Sequence, residues 1–243
     1  MFNQFQKLLK ETDGDFHILE QRIPVETQME YFKYSDHLRK EASPPNESDY
    51  ELLLTDLYSP FSTLEEKKYV LSMLAISKEV KAYRLLEKYA RDAMPDMVDW
   101  ACMALIESRI ALETELSDEK QIYISTGLGG RGNKLRFFVL FFSAEGKPFL
   151  EYQNRTVEKE FAFALPQYDC EIERLTVRER HVEMLFLAPI RLNIKTVIDR
   201  VMDECNQYGG FLARTYTVTN VKELGEEEIA NIMKENGNHQ TGN

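Results

Sequence analysis

Four glycines and two cations crowd one nine-residue stretch, Thr126-Gly127-Leu128-Gly129-Gly130-Arg131-Gly132-Asn133-Lys134, and a third cation, Arg136, follows two residues later. Gly127, Gly129 and Gly132 spell G-x-G-x-x-G, the pattern that lets a backbone approach a pyrophosphate while the next helix presents free N–H groups to the anion. Here the residues that follow read as a strand, so the mechanism lacks its helix. Gly127 and Gly132 also have P-loop spacing, but Asn133 stands at the lysine position and Leu135 follows Lys134 where a magnesium-binding Ser or Thr belongs. The protein-kinase signatures that would accompany a glycine loop between strands are missing. What remains is a backbone nest for a phosphate or carboxylate, formed by Gly127, Gly129, Gly130 and Gly132 and flanked by Arg131, Lys134 and Arg136. The alternative is a flexible hairpin loop with no ligand.

Other reactive residues are dispersed. Arg178, Glu179, Arg180 and His181, with Arg174, make a second basic patch, which reads more simply as a solvated turn. His17, His37, His181 and His239 are far apart, and no H-E-x-x-H, paired-cysteine or EF-hand spacing occurs, so neither a metal nor a cofactor is expected. Glu171 and Glu173 share a strand face, an arrangement that is ordinarily exposed alternation. No G-x-S-x-G or cysteine-hydrolase signature is present. No catalytic residue is therefore named, and an enzyme is not expected.

Cys102, Cys170 and Cys205 are odd in number and sit in apolar surroundings, which suits a reducing compartment. The first residues lack the apolar run of a secretory signal, and no segment reaches the eighteen apolar residues of a span. A cytoplasmic protein without a membrane partner is expected. Charge is unevenly shared: 14 Lys and Arg face 23 Asp and Glu over residues 1–118, against 16 and 18 over residues 119–243. An acidic front half repels phosphate backbones, so no nucleic-acid partner is expected, although a local basic patch in the back half stays open.

The elements that must position these residues fall into two halves. Residues 1–118 read as helical, with a helix over Val25–Glu41, a linker-like break at 42–48 and a short helix over Asp49–Tyr58. Thr63 is a good N-cap for the next helix, Ser77 for the one after, and Pro95 and Asp96 open a third that runs to about Leu116. The pair Ser77–Ala93 and Pro95–Leu116 resembles a HEAT-type helical repeat, on Pro95, Asp96, Ala101, Ala104 and Leu105, with Met97 and Val98 replacing the usual Val and Arg. That resemblance implies a helical stack with a partner-binding face. A plain bundle also satisfies the spacing.

Near Gln121 the rhythm changes from 3.6 residues to two. Strands are expected over Ile122–Thr126, Leu135–Phe142, Cys170–Val177, Val182–Ile190 and Phe211–Val221. Helices are expected over Glu151–Leu165, from Asn193 to about Cys205, and over Glu226–Lys234, with a frayed tail at 235–243. The order ββαββαβα predicts an α+β domain over 119–234, with a five-stranded antiparallel or mixed sheet carrying helices on one face. The function this suggests is a non-enzymatic interaction or scaffold protein that offers its acidic helical surface to a protein partner, with room for a homodimer. The alternative is a small-ligand protein or enzyme that holds a phosphate or nucleotide with the Gly127–Lys134 loop and a cleft between the halves.

Overall fold

The computed structural model describes residues 15–116 and 121–240. The chain divides into two compact units, one of Ile23–Ile122, the other of the segment ending at Arg22 together with the chain from Tyr123 onward.

The first unit holds α1 (Val25–Glu41), α2 (Tyr50–Tyr58), α3 (Leu64–Ile76), α4 (Val80–Arg91) and α5 (Val98–Leu116). Thr63 caps α3 with a reciprocal pair of bonds: its hydroxyl accepts from the Glu66 amide at 3.2 Å, and its own amide donates to Glu66 Oε2 at 2.7 Å. Ser77 ends α3 rather than opening α4, its hydroxyl donating to the Leu74 carbonyl at 2.8 Å. Every residue of α3 from Val70 to Ile76 is buried, so that helix has no solvent face there and must be central. It packs against α1, α2, α4 and α5.

The HEAT-type expectation fails on how α1 meets α5. Repeat stacks keep each unit in contact with its sequence neighbours alone. Here the first helix packs on the last, and Glu107 of α5 accepts from Tyr31 Oη at 2.5 Å and from Ser35 Oγ at 2.6 Å, and pairs with Arg39, all from α1. Trp100 lies in the core between them, with Tyr31 and Tyr34 edge-on and its Nε1 donating to Ser72 Oγ at 3.2 Å.

The second unit is α+β. The apolar run Lys134–Ser143 forms β4, buried from Leu135 to Ser143, as a strand covered by helices on both faces is. It pairs antiparallel with β6 (His181–Pro189), from Lys134↔Pro189 to Phe142↔His181, and on its other edge with β7 (Leu212–Thr219). β5 (Glu171–Val177) extends the sheet beyond β6, and the dipeptide β3 (Gly130–Arg131) pairs with the start of β4. The five-stranded sheet is antiparallel throughout, but its membership differs from expectation. The strand expected over Ile122–Thr126 appears as β2 (Gln121–Ile124), which pairs with β1 (Asp15–Ile18) in a separate two-stranded sheet.

Helices cover both faces, not one. On one side lie α6 (Glu151–Ala164), whose Phe161 packs edge-on against Phe141 with ring centres 5.0 Å apart, and α7 (Ile194–Asn206), which buries Ile194, Val197, Ile198, Val201, Met202 and Cys205. Asn193 caps α7 through its side chain, as its position predicts. On the other side, Phe138, Leu140, Phe142 and Leu185 pack with Ile229, Ile232 and Met233 of α8 (Glu226–Gln240). That helix runs past Lys234, and residues 241–243 of the expected tail lie outside the described residues.

Candidate functional site

The glycine loop is shaped by close packing against backbone. A Cβ on Gly127 would fall 1.8 Å from the Val221 carbonyl oxygen, and Gly129, at φ +63°, would place one 2.4 Å from that of Glu20. These neighbours are acceptors, the wrong polarity for an anion. Three of the loop's donors are also taken: the Leu128 amide donates to the Asn220 carbonyl at 3.0 Å, that of Gly129 to the Thr126 carbonyl at 3.1 Å, and that of Gly132 to Glu20 Oε1 at 3.0 Å.

The three flanking cations do converge, on carboxylates of β5 and its approach. Arg131 pairs with Glu171, while Lys134 Nζ lies 2.8 Å from Asp169 and 2.7 Å from Glu171. Arg136 reaches Glu173 at 2.9 Å and donates to the Leu128 carbonyl at 2.7 Å. Hydrogen bonds to Asp169 and Glu171 raise the Lys134 ammonium, and the bond from Arg136 holds the Glu173 carboxyl below its usual range. Gly127, Gly129, Gly130, Arg131, Gly132, Lys134 and Arg136 thus form one assembled corner whose charges are already matched. The acidic pair Glu171 and Glu173 serves the same corner. In the second basic patch, Arg178 and His181 both turn to Glu183, at 3.1 and 3.3 Å, and Arg174 pairs with Glu223. Among the described residues no three His, Cys, Asp or Glu gather as metal ligands, and no helix is long and apolar enough to cross a membrane.

Within the α+β unit, open volume lies elsewhere, along β7. Beneath the first turn of α7 is a cavity of about 430 Å³, lined by Phe137, Tyr216 and Val218, by Thr215, Thr219 and Asn220, and by Ile194, Lys195 and Arg214. Arg214 and Thr215 also line a second hollow of about 590 Å³. That hollow shares Ala144, Glu145 and Gly210 with a third, of about 270 Å³, at the start of α6. The three form a trough that follows β7, a strand of eight residues and so roughly 26 Å long. At its rim Lys195 Nζ lies 2.5 Å from Asp199, and Arg214 pairs with Asp203. Tyr216 Oη donates to Asp199 Oδ1 at 2.8 Å. Burial, and then the neighbouring carboxylate, push the Tyr216 phenol well up. Burial also works to raise the Asp199 carboxyl, but the bonds from Lys195 and Tyr216 outweigh it and hold that group below the usual range. Sequence reasoning missed the trough. The available signal was the run Arg214-Thr215-Tyr216-Thr217-Val218-Thr219-Asn220, which puts hydroxyls, an aromatic ring and an amide on one strand.

No protein-family profile matches the chain, and no curated protein matches it in sequence. Two transposases are among the solved structures similar to part of it. A putative transposase from Deinococcus radiodurans R1 is 16% identical over 45% of this chain and 93% of its own, with a TM-score of 0.36. A REP-associated tyrosine transposase bound to a REP hairpin is 11% identical over 50% of this chain and 75% of its own, with a TM-score of 0.33. At such TM-scores neither fold nor activity carries over. Both are transposases by their descriptions, and the second is bound to a REP hairpin. The expected repeat family, the scaffold function with its protein partner and the exclusion of nucleic acid find no counterpart in these two structures and are set aside. The exclusion rested on charge summed over whole halves, which is blind to local cations such as Lys195 and Arg214.

Proposed function

We propose that the α+β unit binds single-stranded nucleic acid in the trough along β7. One juxtaposition carries the proposal: the half-buried ring of Tyr216, beside the buried Phe137, lines the same cavity as Asn220 and the cations Lys195 and Arg214. Unpaired bases offer a flat π-face and a hydrogen-bonding edge, and their backbone offers phosphates. Each lining group has a counterpart among them. A paired duplex hides those base faces, so the cavity favours single strands.

The rim cations are paired but exposed: the Lys195 and Arg214 side chains are 73% and 75% exposed, and their partners Asp199 and Asp203 are 40% and 55% exposed. Such surface pairs contribute about 0–1 kcal/mol, so a phosphate can replace either carboxylate at little cost. A trough of this length suits about four nucleotides, the lower end of known single-strand site sizes.

Fluorescence anisotropy with a labelled eight-nucleotide strand tests the proposal. Saturable binding that an unlabelled single strand competes away, and a blunt duplex of the same sequence does not, is the expected result. Equal competition by the duplex, or no binding at 50 mM salt, would sink it.

A further inference from the structure

Resting on that proposal, we infer that the trough recognises a strand end, taking up a terminal phosphate where α6 begins. The end hollow, of about 270 Å³, is lined by Ser143, Lys147, Phe149, Leu150, Gln153 and Phe211, among others. Two independent features meet in it. The first is the N-terminus of α6, a helix of fourteen residues. Gln153 Oε1 accepts from the Leu150 amide at 2.8 Å, and the amides of Gln153 and Asn154 both turn back to the Leu150 carbonyl. The amides of Glu151 and Tyr152 stand in the first turn, where no partner exists within the helix, and the helix dipole adds partial positive charge there.

The second is Ser143. It is 5% exposed, yet among the described residues its hydroxyl has no hydrogen-bond partner, although its amide donates to the Arg180 carbonyl at 2.9 Å. Phe142 packs into the cluster on the α8 side of the sheet. Alternation along the strand therefore turns Ser143 to the opposite side, where α6 and this hollow lie. Buried hydroxyls are almost always paired, and one left open beside a helix N-terminus has a natural acceptor in a phosphate oxygen.

Charge selects the terminal group over an internal one. A phosphate monoester carries about −1.5 to −2 near pH 7, against −1 for each linking diester. Lys147, 75% exposed and 2.5 Å from the equally exposed Glu145, can exchange that partner for the more highly charged end. Phe149 and Phe211, edge-on at 6.1 Å, leave apolar surface beside it for the terminal sugar and base. The strand then runs from this hollow past Gly210 and Arg214 to the cavity of Phe137 and Tyr216.

The test uses the full chain and three versions of one eight-nucleotide strand: 5′-phosphorylated, 3′-phosphorylated and unphosphorylated, with inorganic phosphate as competitor. One phosphorylated end is expected to bind about tenfold more tightly than the bare strand, and millimolar inorganic phosphate to erase that gain alone. Ser143→Ala should abolish the gain, so that the phosphorylated and unphosphorylated strands bind it alike; Lys147→Gln, on the exposed rim, should reduce it. Equal affinity for all three strands, or a gain that survives Ser143→Ala, overturns the inference while leaving the trough proposal standing. Binding of none of the strands overturns both.

Discussion

Tyr31 Oη lies 2.5 Å from Glu107 Oε2, and that bond joins the first helix of the helical unit to its last. Tyr31 is fully buried, and Glu107 is 6% exposed while accepting from Ser35 as well. Removing the carboxylate leaves two buried hydroxyls and Arg39 without their acceptor. Glu107→Ala is therefore expected to cost about 3–5 kcal/mol, and Tyr31→Phe about 1–3 kcal/mol, in urea unfolding of the helical unit. An unchanged midpoint for Glu107→Ala would show that the cluster does not hold α1 to α5.

The rim cations of the trough set a salt dependence. If Lys195 and Arg214 each neutralise one phosphate, log K falls with log salt at a slope of about −1.4 for a single strand. The double variant Lys195→Ala, Arg214→Ala should flatten that slope toward zero and weaken binding at 50 mM salt. A slope that stays the same assigns the phosphate contacts to other residues.

Backbone crowding in the glycine loop predicts a stability effect without a ligand effect. Gly127→Ala drives a methyl against the Val221 carbonyl, and Gly129→Ala adds the strain of a positive φ, so each should destabilise by more than about 1 kcal/mol. Arg131→Ala paired with Lys134→Ala should leave the affinity for single strands unchanged. Thermal melts and anisotropy separate the two effects, and a loss of strand binding in the double variant would contradict the matched-charge description of that corner.

Acid should loosen the α+β unit through Glu173. Arg136 depresses its folded carboxyl below the ordinary value of about 4.3. A depressed folded value stabilises above the unfolded one, and the benefit is lost as pH falls through the folded value. Stability measured from pH 6 downward should hold to about pH 4.5 and then decline, and Glu173→Gln should lower the plateau and reduce the decline. Parallel curves for wild type and variant would remove Glu173 from the acid response.

Burial pushes the Cys102 and Cys170 thiols up to about 11 and that of Cys205 up to about 12. Native protein at pH 8 should react slowly with a thiol reagent, and release three equivalents only in denaturant. Fast reaction of one thiol in native protein would mark a local opening around it.

Much of the α+β unit was legible because its strands are long and its helices periodic. Leu135–Phe142 is too apolar for any place but a sheet centre, and α7 repeats its apolar residues at i, i+3, i+4 and i+7. The pairing of β2 was not legible, since β1 is four residues of Asp-Phe-His-Ile, too short to show alternation and far away in sequence. Ser77 misled because a hydroxyl can close a helix as well as open one. The HEAT resemblance rested on the local spacing of one helix pair, whereas the contact that contradicts it joins Tyr31 to Glu107. The trough was hidden for a similar reason: Phe137, Ile194 and Arg214 meet only through strand pairing and helix packing, and no local pattern joins them. The G-x-G-x-x-G spelling was conspicuous, but its glycines answer to neighbouring carbonyls that the sequence alone does not locate.

The Leu19 amide donates to the Ile124 carbonyl at 2.9 Å, so the chain leaves the α+β unit and returns to it at adjoining points. The helical unit, from Ile23 to the start of β2, is in that sense an insertion between β1 and the rest of the α+β unit. On the ribosome, β1 emerges and then waits while about a hundred further residues are made, on the order of 5–20 s at ordinary elongation rates. The helices can fold in that interval, before β2 exists to pair with β1.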